Sequence, residues 1–284
     1  MDRTTFLAGS TAAVLARSSA TRLTLAGLES RHGGRLGVFA LDTGNGERLA
    51  HRADERFPMC STFKMLLVAA VLARVDAGGE RLDRRVAYHK TDLLPYAPIT
   101  RANLGVGSMT VRALCAAAIE FSDNTAANLL LAALGGPERV TIYARSLGDT
   151  MTRLDRNEPA LNSAEPGDER DTTTPAAMAT TLRKLSIGSA LSPSSRRALQ
   201  AWLLGCRTGV DSLRAGVPAF WRVGDKTGSG AHATVNDIAV FYPPRRAPIF
   251  VTAYYTGSSA SSDPRDEVLA DVGRIVVTTF ASSR

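Results

Sequence analysis

Ile238-Ala-Val-Phe-Tyr242 and Ile249-Phe-Val-Thr-Ala-Tyr-Tyr255 flank the sequence Pro243-Pro244-Arg245-Arg246. Two short apolar, β-branched and aromatic runs around a proline turn read as paired strands, and the prolines suit an edge connection. The other end of the chain has a similar signal. Arg35 to Asp42 alternates loosely, Asn45-Gly46 is a hairpin turn needing positive φ, and Leu49 to Arg52 returns. Between these ends the signals are helical. Thr62 to Ala77 is apolar and stops at Gly78-Gly79; Thr110 would cap a helix reaching Phe121; Asn124 to Leu134 closes at Gly135-Gly136. Pro137 to Leu147, Pro175 to Leu185 and Pro193 to Leu204 begin with proline and end before glycine. Arg265 to Phe280 reads as a closing amphipathic helix. The order predicts an α/β (α+β) fold: an antiparallel sheet flanked by helices, built from both chain ends, with an inserted all-helical domain. The expected division is 21–58 with 207–284 for the α/β domain and 59–206 for the helical one, the active site lying between them.

The composition is that of a soluble globular protein. Hydrophobic residues make up 44% and charged residues 21% of 284, which excludes disorder, collagen-like repeats and a coiled coil. A chain of this length buries a core without disulfide staples. The net charge of +7 comes from scattered arginines with no interleaved aromatics, so no nucleic-acid partner is expected. Only Lys64, Lys90, Lys184 and Lys226 are lysines, so each is a candidate for a specific task. Residues 1–20 hold an uncharged stretch, Thr4 to Ala16, followed by small residues: a possible signal segment that predicts a periplasmic or secreted protein. No window is long and apolar enough for a membrane span. His32, His51, His89 and His232 lack ligand spacing, so no metal or other cofactor is expected.

Three short motifs carry chemistry. Ser61-Thr62-Phe63-Lys64 opens the first long helix, and residues three apart share a helix face. A serine hydroxyl needs a base to become a nucleophile, and a lysine whose pKa is lowered can be one. Backbone N–H groups at the helix start would favour an oxyanion. Ser122-Asp123-Asn124 lies between two helices, where any of the three would also serve as a cap. Lys226-Thr227-Gly228-Ser229-Gly230 starts a strand, where small residues admit a ligand while a lysine and two hydroxyls can hold a carboxylate. Each motif alone is weak. All three in this order form the signature of class A β-lactamases and penicillin-binding proteins.

From about Leu23 to Phe280 the sequence therefore resembles the penicillin-recognising serine enzymes. A fourth element, Arg156-Asn157-Glu158-Pro159-Ala160-Leu161-Asn162, resembles the Ω-loop of class A β-lactamases, the loop spanning 156–171. Penicillin-binding proteins and acylated sensors, the runner-up readings, would lack Glu158. The resemblance implies a monomeric hydrolase that opens small-molecule β-lactams through a serine acyl-enzyme. It makes Ser61 the nucleophile, Ser122 the proton donor to the lactam nitrogen, and Lys64 either the direct base or part of a relay with Glu158 and a water. Glu158, with Asn162 beside it, would activate the deacylating water. Lys226, Thr227 and Ser229 would hold the substrate carboxylate, Asn124 the acylamino group, and Tyr96 would wall the cleft. Arg156 would pair with Asp171 at the loop neck.

Several departures from the family pattern are visible. Ala233 to Asp237 lacks the extra carboxylate-binding arginine, for which Arg265 is a possible substitute beside Asp266, and Arg214 reads as structural. In the family pattern Cys60 and Cys115 have disulfide partners, but here those partner positions hold Gly230 and Val68. All three cysteines should therefore be free, Cys60 and Cys115 buried and Cys206 the most accessible. His232 is placed near the substrate side chain or on the surface.

Overall fold

The computed structural model describes residues 24–258 and 264–281, with the backbone alone at 264 and 265. The possible leader at 1–20 and the Arg265 side chain lie outside the described residues.

A helix α1 (Leu25–His32), capped by Thr24, leads into strands β1 (Arg35–Asp42) and β2 (Arg48–His51). A short β3 (Phe57–Pro58) precedes α2 (Phe63–Asp76). Next come β4 (Arg85–Ala87), α3 (Pro98–Ala102), β5 (Ser108–Thr110), α4 (Val111–Glu120), α5 (Asn124–Leu134) and α6 (Glu138–Ser146). After a loop, β6 (Thr172–Thr173), α7 (Pro175–Ser186) and α8 (Pro193–Leu204) lead to β7 (Arg222–Gly230), β8 (Thr234–Tyr242), β9 (Ile249–Thr256) and α9 (Pro264–Ala281).

Among the described residues the main sheet is antiparallel in the order β2-β1-β9-β8-β7, so both chain ends contribute to it. One face packs on α1 and α9 through Leu28, Val38, Phe241, Val251, Val272 and Phe280. The other packs Ile238, Val240, Phe250 and Tyr254 against the helical part. With both faces covered, all eight residues of β9 are buried, which is why the sequence shows little alternation there. Helix α2 is buried continuously from Phe63 to Leu72, as expected of a helix that is apolar all round.

Three expectations need adjustment. The β8–β9 pair lies inside the sheet; the edges are β2 and β7. Pro243 and Pro244 sit in the turn, beyond the ladder, and so remove no strand donor. The β1–β2 turn runs from Thr43 to Glu47; only Gly46 has positive φ, while Asn45 Oδ1 accepts from Glu47 N. Ser61 lies in a turn of 3-10 helix (Cys60–Thr62) just ahead of α2.

Candidate active site

Edge strand β7 runs past the start of α2. A side chain at Gly228 would place its Cβ 2.8 Å from Met59 O and 3.1 Å from the backbone nitrogens of Ser61 and Thr62. Only glycine permits that approach. Asn236 on β8 donates to Pro58 O (2.9 Å) and Met59 O (3.1 Å), tying the same segment to the sheet.

The Ser122-Asp123-Asn124 element divides its tasks. Asp123 caps α5 through Ala126 N and accepts from Ile99 N and Thr100 N, pinning α3. Ser122, at φ +56°, and Asn124 turn toward Lys64. Lys64 Nζ lies 2.8 Å from Ser61 Oγ, 2.7 Å from Ser122 O, 2.6 Å from Asn124 Oδ1 and 3.0 Å from Glu158 Oε1. Ser61 Oγ donates to Glu158 Oε1 at 3.1 Å. Ser61, Lys64 and Glu158 thus form a closed triangle in which both charged side chains are buried.

Lys226 Nζ, also buried, donates to Ser122 Oγ (3.0 Å) and Thr227 O (2.7 Å). Burial pushes Lys64 below the ordinary lysine range, and the Glu158 carboxylate pulls it back up. Lys226 is held down to about 8, by burial first and by the Lys64 charge second.

The Ω-loop is closed by Asp171. Its carboxylate accepts from Asp155 N (2.7 Å), Arg156 N (2.9 Å) and Arg156 Nε (2.5 Å). Within the loop, Asn162 Nδ2 donates to Glu158 Oε2 at 2.5 Å, and Asn162 O accepts from Ala231 N beyond β7. Ser61, Ser122, Asn124, Asn162, Thr227, Ser229 and Tyr96 line one cleft of about 650 Å³. Lys64, Glu158 and Lys226 lie beneath its surface, within reach of Ser61 or Ser122.

Three comparisons bear on this constellation. A model described as the "Beta-lactamase enzyme family" matches residues 20–280. The beta-lactamase OXY-1 of Klebsiella oxytoca is 50% identical over 261 residues, covering 92% of this chain and 89% of that protein. An ancestral (GNCA) class A beta-lactamase superposes with a TM-score of 0.89 at 64% identity, covering 90% of this chain and 98% of that one. The chain belongs to the class A β-lactamase family. The beta-lactamase CTX-M-8 of Citrobacter amalonaticus is 48% identical over 269 residues, 95% of this chain and 92% of that protein.

Two residues of this β-lactamase site escaped the sequence reading. Asn128 brackets Glu158 from α5, its Nδ2 donating to Glu158 O (2.9 Å) and its Oδ1 accepting from Glu158 N (3.0 Å). It lies four residues past Asn124, on the same helical face, and that spacing was the available signal. Thr208 comes from the segment after α8, its Oγ1 2.5 Å from Thr227 Oγ1.

Cys206 corrects an expectation: it is buried, 1% exposed, like Cys60 and Cys115. Its Sγ packs 3.4 Å from Thr208 Oγ1, so the chain turns inward after α8. All three thiols are free, and burial pushes each pKa up. Arg214 is structural, paired with the buried Asp225 of β7. Burial raises the pKa of Asp225 and, further, of its buried neighbour Asp237. His232 lies outside the cleft lining and pairs with Glu165 of the Ω-loop at 3.2 Å.

Proposed function

We propose that the protein hydrolyses the amide bond of penicillins and cephalosporins through an acyl-enzyme on Ser61. The observation that carries this is the buried triangle: one hydroxyl 2.8 Å from Lys64 Nζ and 3.1 Å from Glu158 Oε1, at the floor of an open cleft.

The triangle supports two protonation states without moving a heavy atom. Ser122 O and Asn124 Oδ1 accept from Lys64 in both. With Lys64 an ammonium, its third proton goes to Ser61 Oγ, whose own proton goes to Glu158. With Lys64 neutral, its lone pair faces the Ser61 hydroxyl. The same geometry serves Lys64 as direct base and Lys64 with Glu158 as a relay. In acylation Ser61 Oγ attacks the lactam carbonyl and its proton passes to this pair; the C–N bond then breaks as Ser122 protonates the nitrogen and is reprotonated in turn by Lys64, whose Nζ lies 3.3 Å from Ser122 Oγ. Ser122 Oγ accepts from Lys226, leaving its O–H for the leaving nitrogen. Backbone N–H groups of Ser61 and Ser229 would hold the oxyanion. Lys226, Thr227 and Ser229 hold the substrate carboxylate, Asn124 the acylamino arm, and Tyr96 walls the cleft.

In deacylation Glu158 takes a proton from water, the hydroxide attacks the ester carbonyl, and Ser61 leaves with a proton returned to it. Asn162 Oδ1, buried without a partner among the described residues, is an acceptor for that water.

The reading extends to a monomer in the periplasm or secreted, consistent with the uncharged stretch near the N-terminus. Among the described residues no helix is long and apolar enough to cross a membrane. The division into 21–58 with 207–284 and 59–206 belongs to the same proposal. The test is a time course with benzylpenicillin and a chromogenic cephalosporin, followed by intact-mass analysis. Sustained turnover with return to the unmodified mass is expected. A single burst with a persistent adduct would overturn the hydrolase reading in favour of a penicillin-binding protein or sensor.

A further inference from the structure

Beyond Thr227 the cleft wall continues through Thr208, Ser212 and Asp266. Asp266 stands in the first turn of α9, exposed, with Ser212 Oγ donating to its Oδ1 at 3.4 Å. Among the described residues lining the cleft none is Lys or Arg, and β8 contributes Val235 at this wall. The cation serving the carboxylate subsite, Lys226, lies buried behind the wall. Among the described residues the wall next to that subsite is therefore acidic.

We propose that Asp266 is a specificity-determining residue that favours β-lactams carrying a cation beside their carboxylate. The inference rests on the assignment of the carboxylate to Lys226, Thr227 and Ser229. In a cephalosporin the ring carbon next to the carboxylate-bearing carbon carries a variable arm. When that arm ends in a quaternary ammonium or pyridinium group, it brings a positive charge to this side of the cleft. Asp266 attracts that charge while repelling the substrate carboxylate. A substrate with a neutral arm meets only the repulsion. Selection thus acts through ground-state and transition-state binding alike, and shows in KM.

The experiment compares two cephalosporins with the same acyl side chain, one with a quaternary ammonium arm and one with a neutral arm. The wild type should prefer the cationic one in kcat/KM. D266N should lower that preference about twofold to fivefold, the range of an exposed ion pair, with the change in KM. D266E, which keeps the charge, should retain it. Raising salt from about 0.01 M to about 1 M should compress the wild-type preference, a readout independent of any variant's folding. A preference identical in wild type and D266N, or indifferent to salt, overturns the inference while leaving the hydrolase reading intact. Turnover of neither compound by the wild type overturns both.

Discussion

Replacing Glu158 with glutamine keeps the size of the side chain and removes its charge and its capacity to accept a proton. Asn162 Nδ2, at 2.5 Å from Oε2, and Ser61 Oγ, at 3.1 Å from Oε1, then share one amide oxygen where there were two. Loss of a positioned general base costs about 10²- to 10⁴-fold, or roughly 3 to 5 kcal/mol of barrier. That loss should fall on deacylation. Lys64 Nζ stays 2.8 Å from Ser61 Oγ, and removing the carboxylate that raises its pKa leaves burial to lower it further. The free base becomes more available, so acylation suffers less. If the two steps are matched in the wild type, a hundredfold slower deacylation leaves about 99% of E158Q acylated in the steady state, at the low end of the range above. The assay mixes enzyme and benzylpenicillin, quenches at intervals and reads the intact mass. The expected species is protein plus one whole penicillin, formed in a burst and decaying slowly. Slow turnover with no adduct would refute the reasoning, because the lost base would then belong to acylation. Wild-type turnover would exclude Glu158 from the mechanism.

Further outcomes follow from the same geometry. Lys226, with a pKa near 8, is an ammonium below that pH and loses its charge above it. For a carboxylate-bearing substrate kcat/KM should therefore decline toward about tenfold per pH unit above that point; a profile flat to about pH 10 would remove Lys226 from carboxylate binding. Gly228→Ala drives a Cβ to 2.8 Å from Met59 O, so β7 must retreat from Ser61. A drop of about 10²-fold in kcat/KM is expected, and wild-type kinetics would contradict the close approach. Ellman's reagent should label no cysteine in the native protein and all three after denaturation. Rapid native labelling at Cys206 would show that the segment after α8 is open.

The motif residues were legible because each chemical demand has a local spacing. Ser61 and Lys64 are one helical turn apart, and Asn124 begins the helix that the glycines at 135 and 136 end. What stayed hidden depends on the chain folding back. Asn128 carries no chemistry of its own and matters only because the Ω-loop crosses α5. Thr208 reaches Thr227 from a segment with no periodicity. Cys206 follows Gly205 and reads as surface, but it is buried beside Thr208, which itself packs on Thr227 of β7. The edge of the sheet was misjudged for a similar reason. Prolines mark where a ladder stops along a strand, which says nothing about its neighbours across the sheet.

The place of β9 between β1 and β8 bears on how the protein is made. A ribosome that has reached Tyr242 has already polymerised every side chain assigned to acylation and deacylation. Yet the strand that joins the two halves of the sheet has still to be synthesised. Thr252 meets Phe39 across 213 residues, so early strands must wait for late ones, a long-range closure that slows folding. Nascent chains would expose the apolar faces of β1 and β8 until β9 arrives, which is when chaperones would matter most. A premature stop after β8 would leave the catalytic groups all encoded and the hydrolase unassembled, so the stretch from Pro243 to Phe280 is as indispensable as the serine.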